Sequence, residues 1–336
     1  MSSAPSSRPP VASTAPPPPQ PPTSAAPPAG RPGVAQRLVA LLLRALVWLL
    51  GSLPLRWLHG LGALIGRSRR GRVWHIVDTN LALCFPTLSA QDRAALRQAV
   101  LAESGRSMFE VFRIWSRPRR ALRWIRQVHG AGLLEQARAD GRGVLLLAPH
   151  LGAWELLNLH LAGTGSGSVL YRPPGSGALE QVLLRARGAL GMGQIRADRN
   201  APRRVIRALA AGELVGILPD QQPKVGEGVF APFFGVPALT MTLAPRLAQR
   251  TATLLAWARR LPDSAGFDIH IHAAPAAIAD PDPTVAATAM NAAIETLVRE
   301  APEQYAWTYK RFSWAPPGAP PRYGPLTRSA RHRGSD

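Results

Sequence analysis

Gly143–Leu159 reads GVLLLAPHLGAWELLNL, and its first half decides the fold. An apolar run of this length, Val144–Ala148 bounded by Gly143 and Pro149, reads as a buried strand of an α/β sheet. The stretch that follows, from Gly152 to Leu159, reads as an amphipathic helix. His150 then stands at the carboxyl end of a strand, where open α/β sheets put their ligands. Within one continuous helix, His150 and Glu155 would lie about 140° apart and could not meet. With His150 in the turn and Glu155 in the first helical turn, Glu155 is expected to hold one imidazole nitrogen. The other nitrogen stays free as a base, which suits acyl transfer onto a hydroxyl. The plain alternative is a structural histidine at a strand end. Its neighbours are otherwise apolar: these two are the only ionisable groups between Arg142 and His160.

Outward from this segment, strands and helices alternate. Strands are predicted over Val169–Tyr171, Leu214–Leu218, Ala252–Ala256 and Phe267–His272. Helices are predicted over Trp154–Ala162, Ala178–Leu190, Pro202–Ala211, Met241–Arg250 and Thr284–Glu300. The pattern argues an α/β fold with a mostly parallel central sheet flanked by helices. Phe267, Ile269 and Ile271 alternate with Asp268, His270 and His272, as in a one-sided strand near the sheet's edge. Upstream, Gln91–Trp115 has helical spacing with Ser89 as its N-cap.

Residues 1–33 hold 12 of the 34 prolines and almost no apolar bulk, so a disordered tail is expected there. Residues 34–66 are the most hydrophobic segment and predict a membrane-associated helix. The longest charge-free run, Ala45–Leu55, is short of the ~20 residues that span a bilayer. Such a helix lies in the membrane interface or inserts with its arginines snorkelling to headgroups, with an ordinary core helix as the plain alternative; Arg67, Arg69, Arg70 and Arg72 favour anionic lipid at a cytoplasmic face. The main domain is expected over 67–314 and a loose tail over 315–336. A net charge of +20, carried almost wholly by arginine, suits phosphate-bearing or acidic partners. The single cysteine, Cys84, excludes an intramolecular disulfide and fits a reducing compartment. The remaining histidines show no spacing that assembles a metal site, and His270 and His272 are expected to face solvent.

An ordered set of short motifs extends the reading. These are Asn80-Leu-Ala-Leu-Cys-Phe-Pro86, the His150–Glu155 pair, Tyr171-Arg172-Pro173, Pro219-Asp220-Gln221 and Phe230-Ala-Pro-Phe-Phe-Gly235 with Ala238 and Thr240. Glu303-Gln304-Tyr305-Ala306-Trp307 and Lys310-Arg311-Phe312 complete it. In order and spacing the set resembles the late acyltransferases of lipid A biosynthesis, the lauroyl/myristoyl transferase family of the lysophospholipid acyltransferase superfamily. That resemblance implies a glycerolipid-acyltransferase-like fold on the cytoplasmic face of a bacterial inner membrane. It implies acyl carrier protein as donor, a lipid A precursor as acceptor, and an acyloxyacyl product on a 3-hydroxyacyl chain. It makes His150 the general base and Glu155 its orienting partner. It also maps substrate-binding positions to Arg187 and Asp220, with Arg185 as the other register for the arginine. Pro174 departs from the asparagine that many members carry after Tyr-Arg-Pro.

Direct transfer needs no nucleophilic residue and no cofactor, and Cys84 has no base near it. Arg172, Arg185 and Arg187 are placed to clamp phosphates or carboxylates, with a solvated helix face as the plain alternative. Asp220 sits at another strand end, with pairing to an arginine as its one physical role. The first N–H groups of the Trp154 helix are candidate oxyanion donors. Phe230, Phe233 and Phe234 line an acyl slot or belong to the core; Trp307, Tyr309 and Phe312 read as packing. Two other functions are weighed: the same chemistry on a lysophospholipid or other glycolipid, and a non-enzymatic basic protein binding anionic membrane or nucleic acid. The last leaves the ordered motifs as coincidence.

Overall fold

A computed structural model describes residues 34–224 and 226–324; the expected disordered tail 1–33 lies outside the described residues. The described chain opens with helices α1 (Val34–Leu50), α2 (Leu55–Ser68), α3 (Arg72–Cys84), α4 (Ala90–Ser116) and the short α5 (Pro118–Ala121). Alternation then begins with β1 (Ile125–His129), α6 (Ala131–Ala139), β2 (Val144–Leu147), α7 (Trp154–Ala162), β3 (Gly167–Tyr171) and α8 (Gly177–Arg187). It continues with β4 (Gly193–Arg196), α9 (Ala201–Ala210), β5 (Leu214–Ile217), β6 (Gly228–Phe233), β7 (Val236–Met241) and α10 (Leu243–Ala248). β8 (Ala252–Arg260), β9 (Phe267–Ala273) and α11 (Pro283–Glu300) follow.

Seven strands form one sheet in the order β1-β9-β8-β2-β5-β3-β4, and only the β8–β9 pair is antiparallel. The mostly parallel sheet expected from the alternation is therefore present. β2 lies in its middle with all four residues buried, which is why it reads as an unbroken apolar run. β9 is the second strand from the edge; it buries Phe267, Ile269 and Ile271 and turns Asp268, His270 and His272 to the other face. Ser89 caps α4 by accepting a hydrogen bond from the Asp92 N–H at 3.0 Å.

Several elements escape a periodicity reading because they are short or contain proline. β1 buries none of its five residues fully, and β4 only Ile195. β6 and β7 form a separate two-stranded hairpin turned through Phe234 (φ 52°) and Gly235 (φ 75°). Two successive positive φ values are those of the tight turn that matches strand twist. Pro232 and Pro237 face each other in this ribbon, a place where missing N–H donors are tolerated.

The hydrophobic N-terminal region is not one helix. Ser52, Leu53 and Pro54 break it, because proline lacks the N–H and disfavours a helical residue before it. The two halves are bent by 111°; no single helix among the described residues is long and apolar enough to cross a membrane, although the bent pair passes on length and composition. α1 packs on α4 and α8 while Leu41, Leu42, Trp48 and Leu49 remain exposed. α2 packs closely against α4 at Gly62 and Gly105, where a Cβ on Gly105 would stand 1.9 Å from the Gly62 carbonyl oxygen.

Beneath this helical pair lies a buried ionic cluster. Arg260, at the end of β8, donates to Glu110 through Nε at 3.0 Å and Nη2 at 2.7 Å, and also to Glu103 and to Ser107 Oγ. Glu110 meets His59 of α2 at 3.2 Å, and the other ring nitrogen of His59 meets Ser264 Oγ at 2.9 Å. Burial by itself raises the Glu110 carboxyl, but Arg260 and the His59 hydrogen bond hold it below the ordinary 4.5.

At the other end of the chain, residues 315–324 are not a loose tail throughout. Tyr323 is buried, donates to Asn80 Oδ1 at 2.6 Å and accepts from the Phe312 N–H at 3.2 Å. Residues 325–336 lie outside the described residues.

Removing Glu110 leaves Arg260 buried with part of its charge unmatched. Glu110→Ala is expected to lose about 3–5 kcal/mol in urea unfolding at neutral pH. A group whose folded pKa is depressed contributes stability above its unfolded pKa and loses it as pH falls through the folded one. The difference between wild type and Glu110→Ala should therefore shrink below pH 4.5.

Candidate active site

β2 and β5 run side by side, and their register pairs Leu147 with Ile217. Three residues beyond Leu147 comes His150, and three beyond Ile217 comes Asp220. Both strands then turn at proline, Pro149 and Pro219, so two side chains 70 residues apart in sequence arrive together. His150 Nδ1 is 2.9 Å from Asp220 Oδ1, and the His150 backbone N–H donates to Asp220 Oδ2 at 3.0 Å. Asp220 is buried, which by itself raises its pKa, but the charge of His150 and the hydrogen bonds it donates hold the carboxylate below its ordinary value. An ionised acceptor at Nδ1 fixes the proton there and leaves the Nε2 lone pair outward. Nε2 is 3.1 Å from the amide nitrogen of Gln221. His150 keeps partial contact with solvent and packs its edge on the Trp154 ring at 5.3 Å.

The expected pairing of Glu155 with His150 is corrected by this geometry. Glu155 opens α7 and accepts from Arg187 of α8, with Nε at 3.2 Å from Oε1 and 3.0 Å from Oε2 and a further contact from Nη2. Trp115 Nε1 donates to the same carboxylate at 3.2 Å. Asp220 reaches the imidazole because neighbouring parallel strands end level; Glu155 leaves the turn on a helix that carries it towards α8. The reading of Asp220 as an arginine partner is corrected with it. Of the two arginines on α8, Arg187 faces inward and Arg185 is exposed. Arg172 is also exposed and stands near Tyr309.

The turn after β2 is held from three sides. Gly152 has φ 62°, and a Cβ there would lie 2.0 Å from the Ala258 carbonyl oxygen. Its N–H donates to the Gln304 carbonyl at 3.1 Å, and the Ala153 N–H to Ala258 at 2.9 Å. Ala306 N–H donates to the His150 carbonyl at 3.0 Å. The Gln304 side chain pairs with both backbone groups of Arg260, at 2.8 and 2.9 Å. Tyr305 is buried near Asp220; burial and then that carboxylate push its phenol well above the ordinary value, so it stays protonated. The segment Glu303–Trp307 thus supports the His150 loop, a function invisible in the sequence because its contacts cross about 150 residues.

The other motifs are structural. Asn80 is buried and donates to the carbonyls of Trp307 and Tyr309 at 2.7 and 2.9 Å. Arg311 is buried and donates to the Leu239 carbonyl and to Thr240 Oγ1. Phe233, Phe234, Trp307 and Phe312 are core. Cys84 is buried, and burial pushes its thiol up, which suits an inert side chain. A cavity of about 40 Å³ lies under α7, lined by Leu146, Ala148, Leu157, Val169 and Asn158. It matches a water rather than a fatty chain, and the buried amide of Asn158 has no protein partner.

Sequence spacing gave no metal site, yet the pairing of β1 with β9 brings His129, Asp268 and His270 together. Their ligand atoms lie within 4.8 Å of one another, the one such group among the described residues. Asp268 already accepts from the Gln127 N–H at 3.1 Å, and the His129 and His270 rings stack at 4.6 Å. His270 and His272 are half-buried rather than solvent-facing, each with a buried Nε2 lacking a hydrogen-bond partner.

Comparison with known proteins bears on what this site does. A family model described as bacterial lipid A biosynthesis acyltransferase matches residues 33–313. The lipid A biosynthesis lauroyltransferase of Escherichia coli K12 is 31% identical over 287 residues, covering 82% of this chain and 92% of the relative. The palmitoleoyltransferase of the same strain is 31% identical over 284 residues, covering 81% and 90%. Its myristoyltransferase is 24% identical over 262 residues, covering 76% and 78%.

The Glu155–Arg187 pair makes a stability prediction. Arg187→Ala strands a buried carboxylate and is expected to lose about 2–3 kcal/mol, less than a fully buried pair because Arg187 keeps some water contact. Adding Glu155→Leu should restore much of that loss in urea unfolding. An arginine facing only a ligand would unfold with no such compensation.

Proposed function

The chain belongs to the bacterial lipid A biosynthesis acyltransferase family, and on that premise we propose direct acyl transfer with His150 as general base and Asp220 as its orienting carboxylate. The observation that carries this reading is the His150–Asp220 pair at 2.9 Å, with Nε2 directed away from the carboxylate. The donor is a fatty acyl thioester of acyl carrier protein, and the acceptor is a hydroxyl of a lipid A precursor. The acceptor hydroxyl takes the place of the Gln221 amide at Nε2.

An alcohol is too weakly acidic to ionise at neutral pH, so proton removal must accompany bond formation. As the hydroxyl oxygen attacks the thioester carbonyl, Nε2 takes its proton and the imidazolium is stabilised by Asp220. The tetrahedral intermediate then collapses: the C–S bond breaks and the imidazolium returns the proton to the departing thiolate. The N–H groups of Gly152 and Ala153 are engaged by Gln304 and Ala258. The donors left at the opening of α7 are those of Trp154 and Glu155, placed to meet the oxyanion. Glu155 acts through its contacts with Arg187 and Trp115, holding α7, α8 and α4 in register around the base.

The acceptor is membrane lipid, and the α1–α2 pair supplies a surface for it. Leu41, Leu42, Leu49, Trp57 and Leu64 are exposed together with Arg67, Arg69 and Arg70 nearby. Apolar side chains flanked by arginine suit the interface of an anionic, cytoplasm-facing leaflet.

Two measurements test the reading. His150→Ala should abolish transfer, and Asp220→Asn should lower kcat about 10²–10⁴-fold with melting little changed. Full activity in either variant would remove the dyad from the mechanism. Separately, Leu42→Ser/Leu49→Ser/Leu64→Ser should release the protein from phosphatidylglycerol vesicles in flotation without altering its thermal unfolding.

A further inference from the structure

The stretch Arg113–Arg123 contains Arg113, Arg117, Arg119, Arg120 and Arg123 and no acidic residue. It forms the end of α4, the short α5 and the turn after it. Together with Ala189 and Leu190, just past α8, Arg117, Pro118, Arg119 and Arg120 line a shallow, open cleft of about 350 Å³ whose walls are mostly apolar. Among the described residues no carboxylate forms an ion pair with any of the five arginines. Arg113 and Arg117 are instead fixed by carbonyls at the break between α1 and α2. Arg113 Nη2 donates to Leu53 at 2.8 Å and Arg117 Nη1 to Gly51 at 3.0 Å, with the Arg117 guanidinium also over the Trp48 ring. Arg119 and Arg120 are exposed and make no such contact. Burial and then the charges of Arg117 and Arg120 depress the pKa of Arg113, as expected of a concentrated, unbalanced positive field.

We propose that this cleft binds a phosphomonoester of the acceptor lipid, with Arg119 and Arg120 as the contacting guanidiniums. The assignment rests on the acyltransferase reading above and specifies where its acceptor docks. Guanidinium forks hold a phosphate dianion through paired charge-assisted hydrogen bonds, and Arg113 and Arg117 add field without moving. Pro118, Ala189 and Leu190 supply apolar wall for the body of an amphiphile.

Position joins the cleft to the chemistry. Trp115 lies two residues before Arg117 and donates to Glu155; Arg187 lies two before Ala189 and grips the same carboxylate. Both segments that line the cleft are therefore continuous in sequence with the residues that hold Glu155 at the start of α7. On its other side the cleft meets the end of α1, whose apolar face is exposed. The anion clamp expected on α8 is thus carried by α5, while Arg187 holds Glu155.

The test compares the full-length wild type with Arg119→Gln/Arg120→Gln, two exposed positions outside the His150 machinery. Each is assayed with an acyl-carrier donor and either a phosphorylated glucosamine-disaccharide lipid or its dephosphorylated counterpart. The variant should raise KM for the phosphorylated acceptor about 10- to 100-fold, leave kcat within about twofold and leave KM for the dephosphorylated acceptor unchanged. Equal loss on both acceptors, or no loss on either, overturns the proposal. Equilibrium binding of the phosphorylated lipid, followed by tryptophan fluorescence, reads the site without turnover. Weaker binding by the variant supports the cleft even if transfer itself fails, whereas equal binding overturns it. Flotation with phosphatidylglycerol vesicles separates the remaining source of phosphate. If the variant loses vesicle binding in proportion to its KM change, the arginines serve the membrane surface and the acceptor assignment is wrong.

Discussion

The in-register pairing of β2 with β5 is the constraint on which the site depends. Four residues of β2 lie opposite four of β5, and every one of them is buried. Buried strands cannot slip by one residue without turning their side chains to the wrong face. The register therefore fixes the distance from each strand end to the residue beyond it. Prolines at the same step past both strands stop the ladder together, and the next residues are His150 and Asp220. Other supports act on this arrangement: Ala306 ties down the His150 carbonyl, and Gly152 admits the close passage of β8.

Periodicity revealed the central strands and the long helices because each presents an uninterrupted pattern to one environment. β2, β5, α7 and α11 lie within a residue of their predicted bounds. β1 and β4 escaped because edge strands of four or five residues leave polar side chains at the surface. The β6–β7 hairpin escaped because its prolines argue against a strand unless its isolation from the main sheet is known. Residue types at the site were legible too: a histidine after a buried strand, and an Asp after another. Their partnership was not, because sequence proximity favoured Glu155, five residues from His150, over Asp220, 70 away. Only strand order could reverse that preference, and strand order is set by packing across the whole chain. The same limit hid the His129–Asp268–His270 group and the basic cleft.

Motif membership and chemical role divide differently from what their spacing suggests. Asn80, Gln304 and Arg311 belong to the ordered motif set, yet each joins backbone segments far apart in sequence. Asn80 holds the loop at Trp307 and Tyr309, Gln304 holds the end of β8, and Arg311 holds the β6–β7 hairpin. Buried amides and guanidiniums with several donors satisfy carbonyls that irregular loops leave unpaired. Such residues accompany the His150 loop because a loop has no ladder of its own to fix it.

The ionic cluster around Arg260 gives the N-terminal helices a standing that their hydrophobicity conceals. His59 of α2 touches Glu110, Glu110 holds Arg260, and the Arg260 backbone is gripped by the residue whose carbonyl fixes Gly152. The helix that exposes apolar side chains on its outer face is, on its inner face, tied to the body that carries the His150 turn. A fragment trimmed to the α/β portion would lose His59 and Gly62 along with the exposed leucines. Any redesign of the exposed outer faces of α1 and α2 therefore has to leave their inner faces whole.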